Sequence, residues 1–196
     1  AYDQKSINDE VPGFEDRSPS LENILLDIAG RLDDLPKATL THLKLDETPT
    51  LSAEWNRTPP MITLTRTYEF AASHRLHAPG MSDDENVALF GKCNHVHGHG
   101  HNYLLEVTVT GEPNAETGFI TSLESLDHVV NERVVDRYDH RNLNIDIPEL
   151  AGLNPTSEVV AQAIFTQLEG HLPATLVRVR LHETARNIFE VTARGF

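Results

Sequence analysis

Cysteine is nearly absent from this chain. Its 196 residues carry one, Cys93, so no internal disulfide framework can form, and the usage suits a reducing compartment. Basic residues are scarce as well: 16 Lys plus Arg face 30 Asp plus Glu, for a net charge of -14. That balance excludes the broad basic face of a dedicated nucleic-acid-binding protein. It leaves room for a small anionic substrate in a local basic pocket. Aromatic residues are 6% of the chain, and no apolar run approaches the roughly 20 residues needed to cross a bilayer. No secretory signal is present, so a cytoplasmic location is expected. Histidine, in contrast, is plentiful: of 11, 10 lie beyond residue 60.

Hydrophobic residues at 39% and charged residues at 23% are an ordinary globular mixture, and the length suits one domain or one domain and part of another. Self-comparison favours the second option. At an offset of 136 residues, without gaps, 15 identities fall within residues 2–55. Tyr2, Asp3, Pro12, Pro19, Glu22, Leu45, Glu47 and Thr48 are among them. A unit of 136 residues ending at Phe196 begins at Met61. The expected organisation is therefore a complete domain at 61–196, preceded at 1–60 by the C-terminal part of another copy, and a chain cut within that first copy. "NRTPPM" (56–61) is the natural linker, with Pro59 and Pro60 as breakers.

Within 61–196 the patterns give an element order. "MITLTRTYEFAA" (61–72) alternates Ile62, Leu64, Arg66, Tyr68 and Phe70 against Thr63, Thr65, Thr67 and Glu69, which predicts a strand. "HNYLLEVTVTGE" (101–112) predicts a second, after a long loop with a short helix near "DDENVALF". Leu123, Leu126, Val130 and Val134 share one helical face over 122–135, and a second helix follows the entry signal at 154–157. Two strands, 174–183 and 187–194, close the chain. Strands, then helices, then strands predict an α+β fold with an antiparallel sheet covered by helices. Residues 1–60 would supply a helix and two strands of the other copy.

"GKCNHVHGHGHNY" (91–103) concentrates the chemistry. In extended chain, i and i+2 side chains share a face, so His99 and His101 can reach one metal ion. His74, at the end of the first strand, is the best third ligand. Three neutral imidazoles with an open position suit catalytic zinc, although nitrogen donors also suit iron, nickel, copper or cobalt. "HGH" occurs at 97–99 and at 99–101, so the register stays open; His95 and His97 read as supporting or exposed. Cys93 is either a small buried hydrophobe or, with Lys92 beside it, a thiolate base. Asp139 and His140 are adjacent, the usual pairing of a carboxylate with a general base. In the first copy Asp3 is kept, and Gln4 replaces the histidine. Glu158 and Glu183 recur as Glu22 and Glu47. Glu158 also suits a helix start on electrostatic grounds.

Five segments, "FAASHRL", "LFGKCNHVHGHGHNY", "DHRNLN", "PTSEVVA" and "LHET", together resemble the 6-pyruvoyl-tetrahydropterin synthase family over essentially all of 61–196. The resemblance implies the tunnelling fold (T-fold), a four-stranded antiparallel sheet with two helices on one face, assembled into rings as a homo-oligomer. It implies zinc on His74, His99 and His101, Cys93 as the proton-abstracting residue, and Asp139, His140 and Glu183 as relay partners. It implies Glu158 as the pterin anchor, flanked by Thr156 and Ser157, and catalytic sites shared between neighbouring modules. The implied substrate is 7,8-dihydroneopterin triphosphate, with no external redox cofactor. Arg75 and Lys92 are the nearest cations in sequence for the triphosphate. Two alternatives accompany this reading: a 6-carboxy-tetrahydropterin synthase of the queuosine pathway, and a pterin-binding or scaffolding module without turnover. Neither nucleic acid nor membrane is an expected partner.

Overall fold

In the computed structural model, residues 2–33 and 38–195 are described. Ala1, residues 34–37 and Phe196 lie outside the described residues, and with them the outer ends of the expected segments 1–60 and 61–196. The elements run α1 (Ile7–Glu10), α2 (Leu21–Asp33), β1 (His42–Thr48), β2 (Leu51–Asn56), β3 (Met61–His74), α3 (Asp83–Phe90) and β4 (His99–Thr110). Then come α4 (Leu123–Val130), α5 (Asp136–Tyr138), β5 (Arg141–Asn142), α6 (Ser157–Leu168), β6 (Thr175–Thr184) and β7 (Asn187–Thr192). Strand order is β1-β2-β3-β4-β6-β7, with the two-residue β5 on β3. This is the expected α+β architecture, a largely antiparallel sheet accompanied by helices.

The chain divides into two compact units. The first contains residues 1–66 and 108–126. Here β1 pairs antiparallel with β2, and β2 with the start of β3. Phe14, Leu25 and Ala53 are fully enclosed, and Leu64 nearly so. On the threonine face of β3, Thr63 and Thr65 are buried, and the Thr65 and Thr108 hydroxyls hydrogen-bond at 2.9 Å. The first turn of α2 holds the segment 118–120. Ser20 Oγ donates to the Gly118 carbonyl at 2.8 Å, and the Ile120 N–H donates to Glu22 Oε1 at 2.9 Å.

The second unit contains residues 67–107 and 127–172 and most of the C-terminal hairpin. Phe70 stacks on Tyr103 with centroids 5.0 Å apart and meets Tyr138 edge-on at 5.8 Å. The expected single helix over 122–135 is instead α4, a π-turn at Asn131–Val135, and α5. The buried residues Val130, Val134 and Tyr138 recur every fourth position. Such spacing overshoots a 3.6-residue turn by about 40° at each step. The wider π-turn absorbs that drift and keeps the stripe facing inward. β4 begins two residues earlier than its alternation predicts, which places His99 on the strand itself.

Elements of residues 2–56 reappear 136 residues later with matching detail. The α2 helix and the β1–β2 hairpin correspond to α6 and the β6–β7 hairpin. Both hairpins shift register at the same place, between Asp46 and Thr48 and between His182 and Thr184. Gln4 and His140 are the two non-glycine residues with positive φ among the described residues, at 56° and 57°.

Burial raises the Glu22 carboxyl above its ordinary range, with the Ile120 N–H opposing the shift. A carboxyl raised in the folded state stabilises most when protonated, so its contribution fades as pH rises through the folded value. Thermal melts should therefore show Glu22→Gln more stable than the parent at neutral pH, with the two converging at acid pH. Glu22→Ala should lose about 1 kcal/mol by leaving the Ile120 N–H without its acceptor.

Candidate active site

The end of β3 and the start of β4 bring three imidazoles together. His74 is completely buried, and His99 and His101 are half-buried on one face of β4. One ring nitrogen from each lies within 4.8 Å of the other two. The His74 and His99 Nε2 atoms are 3.2 Å apart. Tetrahedral zinc with Zn–N bonds near 2.05 Å would separate two such nitrogens by about 3.3 Å. His74 Nδ1 donates to the Pro155 carbonyl at 2.8 Å, which fixes its tautomer and leaves the Nε2 lone pair facing the cluster. Burial, reinforced by the neighbouring rings, holds both His74 and His99 below the ordinary histidine range, against the pull of the Pro155 carbonyl on His74 and of Glu183 on both. They are thus neutral near pH 7 and able to ligate. His101 Nε2 is buried without a hydrogen-bond partner. A divalent cation fits this donor set.

The structure resolves the register of the repeated "HGH". His97 is exposed, and its ring sits 5.5 Å from that of His95, apart from the cluster. Gly98 makes the arrangement possible. Its φ is +73°, and a Cβ there would lie 2.8 Å from the His74 carbonyl oxygen.

Glu183 faces the cluster, with Oε1 3.5 Å from His74 Nε2 and 3.7 Å from His101 Nε2. Burial pushes its carboxyl up, yet hydrogen bonds from Asn187 and Ser157 and the facing histidines outweigh that and hold it below the usual glutamate range. Glu183 is therefore an ionised acceptor. Glu158 lies elsewhere. It is exposed on α6 and lines a separate cavity of about 370 Å³ with Glu149, Leu153 and Gln162. Thr156 caps α6 through its backbone position without a side-chain hydrogen bond, and Ser157 is buried.

Asp139 and His140 face one another despite being adjacent. Asp139 Oδ1 accepts from the Ala71 N–H at 2.7 Å, and Oδ2 accepts from His140 Nδ1 at 2.7 Å. These bonds, the Ala71 N–H first, hold the Asp139 carboxyl below its ordinary range. The left-handed His140 backbone and the parallel β5–β3 bridge seat the pair beside the strand that carries His74. His140 and His101 line one cavity of about 590 Å³.

Cys93 sits half-buried in a single 3₁₀ turn, Gly91–Asn94. Arg75, Lys92, Asn94, His95 and His99 line a neighbouring cavity of about 760 Å³. Lys92 is exposed there, as a phosphate-binding cation would be. Arg75 is hydrogen-bonded to Asn94. Sequence reasoning missed the Pro155 carbonyl, Asn187, Asn94 and Asn144 as contributors. Pro155 and Asn144 lay inside the motifs "PTSEVVA" and "DHRNLN", but a backbone acceptor or a structural amide has no distinctive spacing.

Comparison with known proteins agrees with this geometry. The family described as 6-pyruvoyl tetrahydropterin synthase matches residues 63–194. A 6-pyruvoyl tetrahydrobiopterin synthase of Drosophila melanogaster is 41% identical over 138 residues, covering 69% of this chain and 81% of that protein. The Homo sapiens protein of the same name is 43% identical over 126 residues, covering 64% and 87%. The solved structure of Caenorhabditis elegans 6-pyruvoyl tetrahydropterin synthase aligns with a TM-score of 0.64 at 38% identity, covering 68% of this chain and 96% of that one. Fold, histidine cluster and family match thus converge: the chain belongs to the 6-pyruvoyl tetrahydropterin synthase family.

Proposed function

We propose that this chain is a zinc-dependent lyase that converts 7,8-dihydroneopterin triphosphate to 6-pyruvoyl-tetrahydropterin with loss of triphosphate. The observation that carries the reading is the cavity shared by His101 of the imidazole cluster and His140 of the Asp139–His140 pair. Zinc held by His74, His99 and His101 would supply Lewis-acid polarisation of the substrate's side-chain hydroxyls.

The remaining roles fall to the chain's own groups. Cys93, as thiolate, accepts a proton from the side-chain carbon. Asp139 holds the Nδ1 proton of His140, leaving His140 Nε2 bare to exchange protons at the substrate hydroxyl. The pair serves either its own module or a neighbouring one in an oligomer of T-fold modules. Glu183, ionised and beside the cluster, is better placed than Glu158 to accept the paired N–H donors of a 2-aminopyrimidinone. Loss of triphosphate and an internal redox shift need no external electron carrier. Lys92 is the exposed cation for the triphosphate.

We further propose that residues 2–56 derive from a second module of the same kind. The matching helices, hairpin register shifts and left-handed residues support it. An experimental structure in which α2 and the β1–β2 hairpin fail to superpose on α6 and the β6–β7 hairpin would reject it.

Incubation of the zinc-loaded protein with 7,8-dihydroneopterin triphosphate, read by mass spectrometry, should give the 6-pyruvoyl product. A 6-carboxy product with acetaldehyde would move the chain to the carboxy-forming reaction, and bound pterin without turnover would make it a binding module. Cys93→Ala should keep one metal per chain and lose turnover, whereas His101→Ala should lose both. Glu183→Gln should weaken substrate binding about tenfold to a hundredfold, the value of a hydrogen bond to a charged group.

A further inference from the structure

Around Cys93 lies a set of amides and one guanidinium that the proposed chemistry does not use. The Arg75 N–H donates to Asn144 Oδ1 at 2.8 Å, and Asn144 Nδ2 donates back to the Arg75 carbonyl at 2.9 Å. The Asn144 side chain therefore extends the strand-like pairing of β3 one residue past His74. From this fixed backbone the Arg75 guanidinium reaches the turn that carries Cys93. Its Nε donates to the Asn94 carbonyl at 3.0 Å and its Nη2 to Asn94 Oδ1 at 3.3 Å. Asn94 is 6% exposed. Its Nδ2 donates to the Leu76 carbonyl at 2.7 Å and lies 3.2 Å from His77 Nδ1. The Leu76 N–H, in turn, donates to the Cys93 carbonyl at 2.9 Å.

Every polar atom of the Asn94 side chain is thereby engaged. The two residues of the turn nearest the thiol, Cys93 and Asn94, are both tied to the chain that leaves the metal-ligand strand. The same strand end is gripped by Asn144, which follows the Asp139–His140 pair by a few residues. One hydrogen-bonded lattice thus touches all three parts of the site. A cation at position 75 reads from sequence as a phosphate ligand. In the structure its donors are directed at Asn94, whose carbonyl and side-chain oxygen match the fork of a guanidinium and not a single ammonium.

We propose that Arg75 and Asn94 are positioning residues that hold the Cys93 thiol in register with the histidine cluster, with Asn144 as their backbone anchor. The inference rests on the proposed role of Cys93, and its test does not depend on turnover alone. Cys93 is the one cysteine of the chain, so its alkylation by iodoacetamide reports the turn directly. Arg75→Lys keeps the positive charge and removes the fork. Asn94→Ala removes the receiving amide.

Each single variant should raise the alkylation rate about fivefold or more. The double variant should match the faster single variant, because both break one coupled unit. In turnover, kcat should fall about tenfold or more while KM moves less than twofold, as expected when a reacting group is misplaced by about an ångström. Metal content should stay at one per chain, which separates release of the turn from unfolding; a variant that loses its metal is replaced by the milder Asn94→Asp. Unchanged alkylation in the single variants would overturn the proposal, as would additive effects in the double variant. A higher KM with kcat preserved in Arg75→Lys would return Arg75 to phosphate binding. Turnover surviving in Cys93→Ala would refute the role of the thiol, and the alkylation results would still decide whether the clamp exists.

Discussion

A fully buried imidazole is expensive to leave unpaired, and the Nδ1 side of the His74 ring is paired with backbone. Its Nδ1–H goes to the carbonyl of Pro155, at the entrance to α6. As the residue before Thr156, whose carbonyl is the first that the helix uses, Pro155 keeps its own carbonyl free to accept. The bond sets the histidine tautomer, sets the ring plane, and ties the end of β3 to the beginning of α6. Glu183 then meets the cluster on its remaining side, braced by Asn187 and by Ser157 from that same helix start. Remove the His74–Pro155 bond and the buried ring, the helix entry and the acidic wall lose their common reference.

The reason such a site can sit at the meeting of two strands lies in backbone approach. Gly98 lets the chain entering β4 pass against the carbonyl of His74, where a side chain would collide. Proximity of this kind holds the two strand ends together, so the imidazoles converge without long side chains reaching across open space. The rings of His74 and His99, held neutral by burial, repel no incoming cation. The nearby ionised carboxylate of Glu183 adds attraction for one.

Much of this was legible in the residues. The period-2 alternation of β3, the histidines two apart in β4 and the stripe of Leu126, Val130 and Val134 each follow from local geometry. The contributors that escaped notice act through contacts far apart in sequence. Thr63 and Thr65 are polar by composition yet buried, and the Thr65 hydroxyl is satisfied by Thr108, 43 residues away. The π-turn at 131–135 is dictated by what the helix faces, not by its own propensity. The two acidic residues recurring in both halves looked alike in the sequence. Glu183 ends a strand that aims it at the histidines, and Glu158 begins a helix whose rotation carries it to solvent. A shift of about 100° per residue along a helix decides such matters, and no single-residue pattern records it.

On the proposal that residues 2–56 derive from a second module, the left-handed backbone at Gln4 and His140 bears on how sites decay. A non-glycine residue in that conformation costs of order 1 kcal/mol. At His140 the cost is set against an N–H bond to the Ala71 carbonyl and an imidazole oriented by Asp139. Gln4 adopts the same twist with no imidazole to orient. A backbone shape is held by neighbours on both sides and resists change one substitution at a time. A side chain's chemistry depends on a single codon and can disappear at once. Reactivity is therefore the most easily erased layer of a protein, and chain geometry can outlast it as an imprint of chemistry no longer present.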